Sequence, residues 1–270
     1  MHGKGGKMQK IFLAEMTSKE LKEILEKDTT VILPVGATEV CGQHCPVGTD
    51  HLTAMEIAKR LGEKTQTIVA PTIPIGDSLP LMGFPGTLTV KTDTLYLYIR
   101  DICFSLVANR FERIFFLNTH LYNIYPIDRA ARDLKSKGVL SAQVDFWRLL
   151  FQFAGESGLI ESKKFMIGHG GEVNTSVVLA LFPNLVDLKS APEEIPEPSL
   201  ASRYQGTIIT YRDLVDYSRT GAVGYPDLAS GEKGKIFIEK TLEFLVQFMK
   251  EFKSEPLPLR SNPLTKKKEK

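Results

Sequence analysis

Four short runs of this chain, Val31 to Val35, Thr67 to Ala70, Arg113 to Asn118 and Ala142 to Phe146, are nearly all apolar and do not alternate with polar residues. Strands of that composition must be covered on both faces. Between them lie stretches with helical character: Leu52 to Leu61 ahead of Gly62, Asp93 to Val107, and Ile127 to Lys137 ahead of Gly138. Glycine just past the last turn is a common helix stop. Alternating strand and helix predicts an α/β fold with a mostly parallel sheet sandwiched by helices. In such sheets ligands sit beyond the carboxyl ends of the strands, so function is to be sought just after each strand.

Further elements fit the pattern. Thr17 and Glu20 stand in capping-box spacing ahead of Leu21, Ile24 and Leu25, predicting a first helix from Ser18 to Lys27. A last helix, Lys235 to Phe252, carries an apolar stripe at Ile236, Ile238, Leu242, Phe244, Leu245 and Phe248. Ala191 to Leu200, with three prolines and three glutamates, reads as a surface loop. With no linker or repeat, residues 1–256 read as one domain and 257–270 as a frayed basic tail.

A formal net charge of +2 names no nucleic-acid or membrane partner. The cysteines Cys41, Cys45 and Cys103 are too few for a disulfide framework, and no signal peptide or membrane span is visible, which predicts a cytoplasmic protein.

Three clusters carry candidate chemistry. The loop after the first strand, Gly36 to His51, holds Glu39, Cys41, His44, Cys45, Asp50 and His51. Acids, imidazoles and thiols at a strand end can bind a divalent metal and activate water; alternatively the loop is merely polar, with Asp50 capping the helix that follows. The third strand leads to Asn118-Thr119-His120-Leu121-Tyr122-Asn123, at the same sheet edge. The third cluster, Gly168-His169-Gly170-Gly171-Glu172, precedes an apolar helix, Val177 to Leu181, and could instead cradle an anion with backbone N–H groups. It has no lysine in P-loop spacing.

Taken together, ATEVCGQHCPVGTD, NTHLYN and HGGE resemble, in order and wording, the creatininase (creatinine amidohydrolase) family, which shows STEQHGPHLPLGTD, NGHGGN and HAGE. Phe84-Pro-Gly-Thr87, Gly221-Ala-Val-Gly-Tyr-Pro226 and Gly231-Glu-Lys-Gly234 are similar too, so the resemblance spans Leu33 to Phe252. It implies a three-layer α/β/α domain with a mostly parallel central sheet. It also implies a metal-dependent amidohydrolase that cleaves a C–N bond of a small cyclic or formyl amide through metal-activated water. The cofactor would be one or two divalent ions per chain, zinc foremost, with manganese or iron also compatible. The partners would be a small-molecule substrate and further copies of the chain, a hexamer by family habit.

By the same resemblance Glu39 and His120 hold one ion and Asp50 bridges to a second. Cys41 stands where the family has a histidine ligand; as thiolate it could hold zinc, or it could mark loss of the second metal. Tyr122 stands where creatininase itself has a glutamate, so Glu172 is expected to supply that carboxylate. His169 matches the general acid/base that protonates the leaving nitrogen. His44, Tyr122 and Trp147 are expected at the substrate. Creatininase packs two tryptophans around creatinine and this chain has one, which implies another substrate. Two other readings follow from Cys41: a degenerate family member that binds a metal or ligand without catalysis, and a Cys41 nucleophile assisted by His44 or His120.

Overall fold

A computed structural model describes residues 10–163, 168–197, 208 and 210–259. Four strands, β1 (Thr30–Val35), β2 (Ile68–Val69), β3 (Arg113–Asn118) and β4 (Leu140–Asp145), form a parallel sheet in the order β2-β1-β3-β4. Among the described residues seven α-helices surround it: α1 (Ser18–Leu25), α2 (Thr49–Thr65), α3 (Thr92–Ala108), α4 (Ile124–Ser136), α5 (Phe146–Glu156), α6 (Glu172–Leu181) and α7 (Gly231–Ser254).

The pleat assigns neighbouring residues of β1 and β3 to opposite layers. Ile32, Phe115 and Leu117 pack with α2, α5, α6 and α7, through Ile57, Leu150, Val177, Phe237 and Leu242. Val31, Leu33, Ile114 and Phe116 pack on the other side with Leu25, Ile99, Cys103, Ile127 and Leu134 from α1, α3 and α4. The result is the expected α/β/α sandwich, and both central strands are buried along their length except at Arg113. β4 departs from expectation: it is an edge strand, no residue of it fully buried, and it ends one residue before Phe146.

Register places the site. Val35 lies opposite Asn118, and Asn118 opposite Asp145, so three strands end in one row. The loop after β1, the turn after β3 and the start of α5 therefore leave the sheet side by side.

Several local expectations are corrected. α2 does not stop at Gly62 but runs on to Thr65, where Gln66, at φ 51°, turns the chain. Gly62 serves packing instead, since a Cβ there would meet Val69 at 2.8 Å and the Thr67 carbonyl at 2.9 Å. α5 was hidden because its start, Phe146-Trp147, continues an apolar strand; Asp145 caps it by accepting from the Arg148 N–H at 3.2 Å. On α7, Ile236 and Phe244 are exposed, while Phe237 and Met249 take the buried face. The capping box holds: the Glu20 N–H donates to the Thr17 hydroxyl at 3.2 Å and the Thr17 N–H to the Glu20 carboxylate at 2.8 Å. Residues 198–200 of the Pro/Glu-rich loop and 260–270 of the basic tail lie outside the described residues. No helix among the described residues is long and apolar enough to cross a membrane.

Candidate metal centre

β1 runs into Gly36, where a Cβ would lie 2.5 Å from the His51 Cα. The missing side chain lets the returning leg of the loop lie against the outgoing one. The His51 N–H donates to the Ala37 carbonyl at 3.2 Å and the Glu39 N–H to the Val47 carbonyl at 2.7 Å. α2 begins at Thr49 after Gly48, which makes no side-chain cap, so Asp50 is not the capping residue.

Beyond β3, Asn118 clamps His120, accepting from its N–H at 3.2 Å and donating to its carbonyl at 2.8 Å. The His120 Nε2 lies 2.9 Å from the Asp77 carbonyl. A carbonyl only accepts, so Nε2 carries a proton and Nδ1 is left to face Glu39 Oε2 at 3.2 Å and Asp50 Oδ2 at 3.3 Å. The ligand atoms of Glu39, Asp50 and His120 all lie within 4.8 Å of one another, and all three residues are buried.

Surrounding groups hold this trio. The Ser78 hydroxyl donates to Glu39 Oε2 at 2.5 Å, and the Trp147 Nε1–H donates to Asp50 Oδ1 at 2.8 Å. Buried Asn123 donates to the Gly36 carbonyl at 3.0 Å and accepts from the Asp77 N–H at 3.1 Å, tying three strand-end loops together. Sequence reasoning gave Asp77, Ser78, Asn118 and Asn123 no role. For Asp77 and Ser78 the usable signal was their place after β2, at the same sheet edge.

Charge at this point is tightly balanced. Burial opposes a charge on His120, yet the neighbouring Glu39 charge and the hydrogen bonds to Asp50 and Glu39 hold its pKa well above the ordinary histidine value. Burial would raise Glu39, but the His120 charge and the bonds from His120 and His169 hold it well below the carboxylate range. Burial raises Asp50, helped by the Glu39 charge. Two carboxylates thus share the proton on one imidazole, and a divalent cation can take that proton's place.

His169 lies beside this group, its Nε2 3.4 Å from Glu39 Oε1 and its Nδ1–H donating to the Gly221 carbonyl at 3.0 Å. Burial opposes its charge, but the bond to Glu39 and the nearby Cys41 and Glu39 push its pKa up to about 9.

Other expected site residues are placed differently. Glu172 does not join the trio: its fully buried carboxylate accepts from Lys233 Nζ at 2.7 Å, from the Ser162 N–H at 2.8 Å and from the Glu161 N–H at 3.1 Å. A buried carboxylate settles where a cation and N–H donors meet it, and Lys233 of α7 supplies that cation. Cys41 is buried beside Cys45 and Val178, also outside the trio, and the neighbouring Cys45 thiol and its burial raise its thiol pKa well above normal. His44 donates from Nε2 to the Thr175 hydroxyl at 2.8 Å, which in turn donates to the Gly170 carbonyl at 3.1 Å; burial holds His44 neutral, its pKa lowered to about 4. Trp147 is buried and bonded to Asp50. Tyr122 is half-buried, its ring centroid 5.7 Å from that of His120, and packs on Val40, Leu81, Leu214 and Val223.

Compared with known proteins, the sequence profile of the creatinine amidohydrolase family matches residues 14–249. The chain belongs to the creatininase family. It is 29% identical to the creatinine amidohydrolase of Pseudomonas putida over 264 residues, covering 89% of this chain and 96% of that protein. It is 26% identical to the 3-dehydro-scyllo-inosose hydrolase of Thermotoga maritima, covering 89% of this chain and 83% of that one. A manganese creatininase structure superposes with a TM-score of 0.78 at 26% identity, covering 92% of this chain and all of that one. A zinc–zinc creatininase variant matches at the same TM-score and identity. Creatininase-family proteins are metal-dependent amidohydrolases acting on C–N bonds, and this chain is an enzyme of that class.

Proposed function

We propose that this creatininase-family enzyme hydrolyses a C–N bond of a small cyclic or formyl amide other than creatinine, using a divalent ion held by Glu39, Asp50 and His120. The observation that carries this reading is the convergence of two buried carboxylates on Nδ1 of a histidine whose other nitrogen is committed to the Asp77 carbonyl. That donor set fits zinc, with manganese or iron also compatible, and a histidine oriented through its second nitrogen is the usual arrangement at metal sites. When bound, the ion supplies a Lewis acid and makes a water available as nucleophile near neutral pH.

The protein's own groups do the rest. Ser78 and Trp147 each hold one carboxylate oxygen, fixing where Glu39 and Asp50 point. His120 gives up its Nδ1 proton when a cation arrives. His169, on the other Glu39 oxygen, holds a proton at Nε2 and delivers it to the leaving nitrogen. One third of its side chain is exposed, so a substrate can reach it. The chain's single tryptophan, on which recognition of creatinine would rest, is buried and committed to Asp50, which supports a different substrate. Tyr122, with His120 on one side and an apolar cluster on the other, is positioned to contact that substrate.

Cys41 is buried beside Cys45 and outside the group formed by Glu39, Asp50 and His120, which favours one strongly held ion over two. Exposed Leu79, Leu121 and Tyr125 border the site residues in sequence and support assembly into a homo-oligomer, and the three free thiols fit a reducing cytoplasm. The test is elemental analysis joined to hydrolysis of a panel of cyclic amides and formamides. About one ion per chain and turnover abolished in Glu39→Ala and Asp50→Ala are expected; turnover by metal-free protein would overturn the reading. The burial of Cys41 away from the group of Glu39, Asp50 and His120 and the Glu172–Lys233 pair favour a second reading, a member that binds without turnover, and a metal-loaded protein inert on the whole panel would establish it.

A further inference from the structure

Within the Pro/Glu-rich stretch, Glu194 is tied into the fold by both its backbone and its carboxylate. The Glu194 backbone pairs with Gly224 in both directions, donating at 3.3 Å and accepting at 2.8 Å. Its carboxylate collects four hydrogen bonds: from the Ser218 hydroxyl at 3.0 Å, the Arg219 N–H at 2.6 Å, the Thr220 N–H at 3.1 Å and the Thr220 hydroxyl at 2.5 Å. A carboxylate enclosed by successive backbone N–H groups fixes the turn that supplies them, much as a bound anion does.

That turn ends at Gly221. Its φ is +76°, and a Cβ there would meet Val40 at 2.4 Å, so the position has neither the room nor the conformation for a side chain. The Gly221 N–H donates to the Ser218 hydroxyl at 2.9 Å. Its carbonyl accepts from the Gly42 N–H of the first loop at 3.1 Å and from the His169 Nδ1–H at 3.0 Å. Two residues on, the Val223 N–H donates to the His169 carbonyl at 2.7 Å. The segment held by Glu194 thus grips His169 by ring and backbone together.

We infer that Glu194 is a positioning residue: by ordering the Ser218–Gly224 turn it aims the Gly221 carbonyl at His169 Nδ1 and so directs Nε2 toward the reacting centre. The inference rests on the role of His169 proposed above. Its chemistry is that of an orienting acceptor behind a histidine, here a backbone carbonyl whose own position depends on a distant carboxylate.

The test reads the hydrogen bond itself. In the full-length, zinc-loaded protein, nitrogen-edited NMR should show a protected His169 Nδ1–H proton, assigned by its disappearance in His169→Gln. Glu194→Ala should speed exchange of that proton about tenfold or more, the loss expected for charge-assisted bonds. Glu194→Gln, which keeps one acceptor oxygen, should fall between. A folded Glu194→Ala protein, judged by near-ultraviolet circular dichroism, with unchanged exchange would overturn the inference. Should Glu194→Ala not fold, Thr220→Val removes one of the four donors, and unchanged exchange in that variant would overturn it equally. Turnover is read separately: full activity in His169→Gln refutes the proton-donor role of His169 and leaves the NMR result on Glu194 standing.

Discussion

Two groups of buried polar residues flank the same loop and behave oppositely. In one, Glu39 and Asp50 converge on His120, with His169 on the other Glu39 oxygen, so the two carboxylates are met only by titratable imidazoles. In the other, the groups are held within the fold: Glu172 by Lys233, His44 through its Nε2 by Thr175, and Cys41 by burial beside Cys45 and Val178. The contrast teaches where a cation is wanted. Carboxylates met only by titratable imidazoles gain most from a divalent ion, whereas a carboxylate already paired with a lysine holds the structure together.

The largest effect expected from this contrast is on the balanced side. Lys233→Met leaves Glu172 buried without its cation and should cost about 3–5 kcal/mol of stability by denaturant unfolding, with metal content per folded chain unchanged. A loss of metal in that variant would erase the distinction. On the other side, Asp50→Ala should weaken zinc binding at least about a hundredfold by competition with a chromophoric chelator, since outer partners alone contribute 10–100-fold. Next comes Trp147→Phe, which removes only the N–H on Asp50 and should weaken zinc about tenfold while the fold persists; equal affinity would show that Asp50 needs no such hold.

The smallest effect is in pH dependence. His44 has a folded pKa of about 4 because burial disfavours its charge, while in the unfolded chain it takes up a proton near 6.5. Between those values the unfolded state binds more protons, so stability must fall as pH drops from 6.5 toward 4, by at most about 1.4 kcal/mol per pH unit from this group. His44→Gln should remove that part of the slope, as measured by unfolding at several pH values. Zinc affinity should move the same way for a different reason, weakening as pH falls, because the His120 proton competes with the ion.

How much was legible beforehand differs by element. The apolar runs of β1 and β3 were readable because a strand buried on both faces tolerates nearly no polar residue, and the observed β3 spans the same six residues, Arg113–Asn118. α5 was not, because Phe146-Trp147 looks the same to composition whether it extends a strand or opens a helix; the Asp145 cap and the sheet's edge decided it. The first loop could be singled out from its density of acids, imidazoles and thiols. The resemblance already grouped Glu39, Asp50 and His120, but that Glu172 stands apart from them was not legible, since its partner Lys233 is brought to it by the packing of α6 against α7. Glu194 looked like one more acid in a Pro/Glu-rich loop, because its backbone and hydroxyl donors lie more than twenty residues further along the chain.

Alone, the order of residues determined the α/β layering, the sheet edge at which chemistry would gather and, through wording shared across most of the chain, its family, because these depend on local periodicity and on short motifs. Tertiary structure decided the separation of Cys41 and Glu172 from Glu39, Asp50 and His120, the assignment of Glu172 to Lys233 and of Trp147 to Asp50, and the grip on His169. Those outcomes turn on which buried charge finds which partner. That is a question of distances between segments far apart in sequence, and only the level ends of β1, β3 and β4 bring those segments together.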